Sequence, residues 1–181
     1  MPLPAPSARQ PVHTRETTFR CFRRDDGLWD VEGELRDTKS ELYTIRNEGS
    51  WQPGEPIHHM LIRATVGMDL IVREIAVTME AHPHGPCPQA MASMQRMVGC
   101  TMGRGWRKAI DHHMGREQGC THLRELLFNM ATAAFQGMES VLRDTEPGVP
   151  PAYLGTCTAW DVAGPVVARE FPLLHRPRAP R

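Results

Sequence analysis

The chain has 181 residues, 40% of them hydrophobic, which is enough for one core and points to a single principal domain. Lys plus Arg and Asp plus Glu balance at 21 each, so no net field draws nucleic acid or an acidic membrane surface, and the expected partner is a small molecule or another protein. No apolar run approaches the ~20 residues of a membrane span, Met1 to Gln10 lacks the apolar stretch of a secretory signal, and the five cysteines are odd in number and irregularly spaced. These features predict a cytoplasmic protein with reduced thiols.

Residues 1–12, with prolines at 2, 4, 6 and 11, read as a flexible arm. Thr17 to Arg23, Leu28 to Arg36 and Glu41 to Ile45 suit strands, and Asp25-Asp26-Gly27 between the first two supplies the positive φ of a tight hairpin turn. Asn47 to Pro56 is a loop, with His58 and His59 at its exit. Met60 to Val66 and Leu70 to Met79 form two more strands around Gly67-Met68-Asp69, and Ala81 to Pro88 turns the chain. Helices are predicted over Gln89–Met102, Trp106–Met114 and Cys120–Leu142; the last has apolar residues at 123, 126, 127, 130, 134, 138, 141 and 142, an i, i+3, i+4 pattern. Glu146 to Pro151 reads as a linker and 156–171 as a final hairpin. The expected fold is α+β, an antiparallel sheet of β-hairpins packed on one side by C-terminal helices, with one domain over 13–146 and a proline-rich extension over 147–181.

Chemistry is concentrated at the junctions. Gly119 to Leu127 reads Gly-Cys-Thr-His-Leu-Arg-Glu-Leu-Leu, placing a thiol and an imidazole at a helix start, where unpaired amides and the positive dipole end favour thiolate. Leu123, Leu126, Leu127 and Met130 already supply the apolar stripe, which leaves Cys120 and His122 available for a site. His58 at a strand entrance and Cys87 in a strand-to-helix turn occupy comparable junctions, which can converge at one end of a sheet. Thiolate and imidazole are the preferred ligands of Zn²⁺ and good ligands of iron. The candidate metal set is therefore His58, Cys87, Cys120 and His122, with His122 a fourth ligand or a general base. Glu125, three residues beyond His122, would orient that imidazole, and Arg63 would anchor a substrate carboxylate or phenolate. Each residue also has a plainer role: no C-x₂-C spacing is present, Cys87 serves equally as a small buried side chain, His122 as a half-buried imidazole, Glu125 as a solvated helical residue and Arg63 as part of a solvated strand face.

Several of these segments together carry a resemblance. Arg24-Asp25-Asp26-Gly27-Leu28-Trp29-Asp30, Gly54-Glu55-Pro56-Ile57-His58, Cys87-Pro88, Gly105-Trp106-Arg107 and Gly119-Cys120-Thr121-His122-Leu123 with Glu125-Leu126-Leu127 resemble a bacterial family known mainly as a domain of unknown function, over roughly residues 13–172. That resemblance implies organisms with broad catabolism of aromatic and related compounds. The order of elements is also similar, more distantly, to the IscU-type iron–sulfur scaffold with its IscU/SufE-like core. In that likeness His58 or His59, Cys87 and Cys120 stand at the three ligand positions. A histidine in place of the first thiolate favours a single metal ion over sulfur transfer. The function expected is a metal-dependent lyase or hydrolase, using Zn or Fe on a small, aromatic-type catabolic intermediate, in a chain able to form homo-oligomers. The alternatives are an iron–sulfur or sulfur-carrier scaffold and a non-catalytic partner subunit.

Overall fold

The computed structural model describes residues 2–142, 150–151 and 153–178. Within them, β1 (His13–Arg23) and β2 (Trp29–Lys39) form a hairpin, β5 (Pro56–Val66) and β6 (Val72–Ala81) form a second, and the four make an antiparallel sheet in the order β1-β2-β5-β6. Two short strands, β3 (Tyr43–Ile45) and β4 (Gly49–Trp51), form a separate ribbon between β2 and β5. The first hairpin closes as its sequence requires. Gly27 has φ +83, the Asp26 carboxylate accepts the Leu28 amide at 3.2 Å, and Arg24 pairs with Asp26 at 2.6 Å. The α+β class and the antiparallel sheet with helices after it are as expected from the sequence.

One face of this sheet carries the core. Trp29, Val31, Gly33, Leu35 and Asp37 alternate inward along β2, opposite Val66, Ala64, Ile62, Met60 and His58 of β5. The outward residues are charged and paired across strands, as with Glu32 and Arg63 at 2.8 Å. Helix α2 (Thr121–Leu142) lies along the inward face. A side chain at Gly33 would stand 3.1 Å from Met130, and one at Gly137 would stand 2.4 Å from Cys21 Cβ. Fifteen residues of helix rise about 22 Å and six residues of strand about 20 Å, so a helix that starts over Asp37 ends over Val31 and its β1 neighbour Cys21. Helix α1 (Trp106–Met114) docks on α2, with Trp106 Nε1 donating to the Leu127 carbonyl at 2.7 Å.

Several expectations change in detail. Strand β1 begins at His13 rather than Thr17, because β2 continues through Asp37 to Lys39 and offers partners that far. The helix expected over Gln89–Met102 is a 3₁₀ helix, Cys87–Met97, bracketed by Pro86 and Pro88 at its start and by Gly99 at φ +86 beyond its end. Cys120 precedes α2 instead of opening it, its carbonyl accepting the Arg124 amide at 3.0 Å. The last hairpin expected over 156–171 does not form. The chain turns there and enters α3 (Pro165–Glu170), for which Pro165 presets φ. The chain divides into two compact units inside α2, one running to Met138 and one from Glu139. In the second, Tyr153 and Trp160 rings lie 4.5 Å apart, with Phe171 6.2 Å from Trp160. Residues 146–149 of the predicted linker lie outside the described residues. No described helix is long and apolar enough to cross a membrane.

Candidate metal centre

The inward row of the sheet ends in polar groups. Arg15, Asp37 and His58 are direct neighbours across β1, β2 and β5, and they lie on the same face as Leu35 and Met60. Asp37 is only 2% exposed and accepts from several donors. Arg15 grips it as a fork, Nε to Oδ1 and Nη2 to Oδ2, both at 2.7 Å. His13 Nε2 lies 3.1 Å from Oδ1 and His58 Nδ1 lies 3.0 Å from Oδ2. From above, the first turn of α2 lowers His122 onto the row, with Nε2 3.7 Å from Asp37 Oδ2 and the ring 3.9 Å from that of His58.

Burial sets the charges. Desolvation alone would push the Asp37 carboxyl up, but the Arg15 guanidinium overrides it, and the group is held below the ordinary carboxylate value. His58 is lowered to about 4 by burial first and by its neighbour His122 second. His122 is lowered as well, by burial and by the Arg15 charge. The result is an anionic carboxylate beside two neutral imidazoles, each with lone pairs to offer.

Donor atoms of Asp37, His58 and His122 all lie within 4.8 Å of one another, the grouping that can hold a metal ion. Ligand atoms about 2.0–2.2 Å from a tetrahedral ion sit roughly 3.3–3.6 Å apart. The observed separations from Oδ2, 3.0 Å to His58 Nδ1 and 3.7 Å to His122 Nε2, bracket that range. An ion held by these three residues would displace the proton between His58 and Asp37, and the two imidazoles, 17% and 21% exposed, are not fully closed off from solvent.

The residues singled out from the sequence separate into two groups. His58 and His122 meet at Asp37. Cys120 lies beside them: its Sγ is 3.7 Å from His122 Nδ1, so it braces the ring, and neither it nor Cys87 belongs to the 4.8 Å group. Burial raises the Cys120 thiol and outweighs the amides of Leu123 and His122, the reverse of the direction expected at a helix start. Glu125 reaches the centre through Arg15, whose Nη1 it accepts at 2.5 Å, rather than through His122 directly. Arg63 is on the opposite face of the sheet, paired with Glu32. Sequence reasoning missed Asp37, Arg15 and His13. For Asp37 the signal was present, because an inward alternation of Trp29, Val31, Gly33 and Leu35 places the next inward side chain at 37.

A family model described as "Protein of unknown function (DUF2889)" matches residues 13–136, which include every residue of this centre. No curated protein matches the chain, and no solved structure matches it.

Proposed function

The chain belongs to that family of proteins of unknown function, and we propose that it is a metal-dependent enzyme whose Zn²⁺ or iron ion is held by Asp37, His58 and His122. The observation that carries the reading is the convergence of one anionic carboxylate and two neutral imidazoles, from three separate elements, at a half-open point of an otherwise apolar face. Two histidines and a carboxylate with open positions suit iron(II) or a catalytic zinc. The remaining residues act on these ligands: Arg15 keeps Asp37 ionised, Glu125 fixes Arg15, and Cys120 braces His122. When bound, such an ion polarises a hydroxyl or carbonyl oxygen, which is the chemistry of a lyase or hydrolase working on a small molecule. Aromatic catabolic intermediates are the first substrates to try, on the strength of the family resemblance.

Metal content decides the matter. Elemental analysis after equilibration with Zn²⁺ or Fe²⁺ and desalting should find about one ion per chain. His58→Ala and His122→Ala should each abolish stoichiometric binding, whereas Cys120→Ala, altering only a supporting group, should weaken it about 10–100-fold and still bind one ion. A protein that takes up neither metal overturns the proposal, and a loss in Cys120→Ala as complete as in His58→Ala would count the thiol among the ligands.

A further inference from the structure

The two edges of the sheet are treated differently. Along β6 the chain folds back and covers the edge: Val72 N donates to Cys100 O at 3.0 Å, Gly99 N to Val72 O at 2.9 Å, and the Gln95 side chain to Ile75 O at 3.0 Å. Along β1 nothing comparable occurs. Its backbone pairs with β2 on one side, and among the described residues no backbone hydrogen bond leaves His13–Arg23 on the other. Thr14, Glu16, Thr18, Arg20 and Phe22 are all exposed on this strand. An open edge of 11 residues, about 35 Å long, is a template for another strand unless something deters it.

We propose that β1 pairs antiparallel with β1 of a second copy of the chain, about a two-fold axis through Thr18, making one continuous sheet across a homodimer. The argument is one of register. Thr18 is the midpoint of His13–Arg23, so pairing about it engages the whole strand. The same register sets Glu16 of each copy opposite Arg20 of the other, Thr18 opposite Thr18, and exposed Phe22 opposite Thr14. Charges on an edge usually repel a partner, but here the outward-facing pair Glu16 and Arg20 is of opposite sign, so that one register is favoured over its neighbours. Moving the axis to Thr17 shortens the overlap and sets Arg20 against Thr14. Moving it to Phe19 sets Arg15 against Arg23. The existing partners of the central charges are loose, Arg36 at 3.9 Å from Glu16 and Glu34 at 3.5 Å from Arg20, and they leave both free to reach across.

Sedimentation equilibrium of the full chain should give twice the chain mass. Glu16→Arg and Arg20→Glu, each turning two symmetry-related attractions into repulsions, should weaken the dimer about tenfold, and the double exchange should restore it to within about threefold. Directly opposed residues lie about 4.5–5.5 Å apart at Cα, within disulfide reach. Because Cys157 is an exposed free thiol, the variants are made on a Cys157→Ser background, where oxidation by dioxygen with copper phenanthroline should cross-link T18C chains but neither the background chain nor T14C, whose position faces Phe22. Unchanged thermal melting of each variant's circular dichroism checks that the fold persists. A monomer at every concentration, a dimer indifferent to the charge exchange, or cross-linking of T14C as readily as T18C would each overturn the proposal.

Discussion

Asp37 shows how a buried charge is kept. A carboxylate removed from water is costly unless its lone pairs are met by donors and its charge by a cation, and the Arg15 fork with His13 and His58 supplies both. The imidazoles sit on the other side of that balance, because a proton on His58 would have to be buried, and beside His122. Its pKa of about 4 in the folded chain, against 6.5 when exposed, fixes a sign. Between those values the unfolded chain binds the proton and the folded chain does not, so stability is full above about pH 6.5 and falls as the pH drops toward about 4. His122, lowered in the same direction, adds to the slope. Asp37 works in a separate window, since its contribution is lost only as the pH falls through a folded value below the carboxylate norm. Urea unfolding of chelator-treated protein between about pH 7.5 and 4.5 should therefore lose about 2–3 kcal/mol beyond what His58→Gln loses over the same span. Equal losses in the two proteins would mean that His58 is not held neutral by its surroundings.

Helix α2 approaches the sheet closely enough that two glycines become packing requirements. In an isolated helix, replacing Gly137 by Ala would stabilise by about 1 kcal/mol. Here the new Cβ would meet Cys21 Cβ at 2.4 Å and its sulfur at 2.5 Å, and a Cβ attached to a paired strand cannot swing aside. The clash should win, with Gly137→Ala destabilising by about 1–3 kcal/mol in thermal or urea unfolding. Gly33→Ala should cost less, since its nearest neighbours, Met130 Cγ and Sδ at 3.1 Å, belong to a flexible side chain. A higher melting temperature for Gly137→Ala would show that α2 does not press on β1 there. The hairpins and the long helix were legible in the sequence because the Asp26-Gly27 and Gly67-Met68-Asp69 turns and an i, i+3, i+4 stripe are local signals. What was not legible depended on distant partners. Nothing near His13 or Arg15 says that they pair with β2, and a helix-start thiol looks activated until its burial in the fold is known. The 3₁₀ helix was hidden for a related reason: Met94 and Met97 give a helical stripe, while the backbone around them is set by its prolines and by docking against β6.

At the scale of the whole chain, the site and the core coincide in one unit. The centre and its supports run from His13 to Glu125, and among the described residues every buried hydrophobic side chain except Val167 lies at or before Met138. The four-stranded sheet is assembled from two hairpins with α2 returning over them, so the inward face that holds Asp37 and His58 is covered by residues of the same unit. A chain shortened to residues 1–142, keeping all of α2, should therefore fold alone, unfold in a single cooperative transition and bind Zn²⁺ at the same stoichiometry and within about threefold of the full-length affinity. Circular dichroism melting and metal titration of the two lengths side by side make the comparison. If the shortened chain were molten or metal-free, the residues after 142 would have to supply part of that core. If it folds and binds, the centre is a property of the sheet and the one helix laid along it.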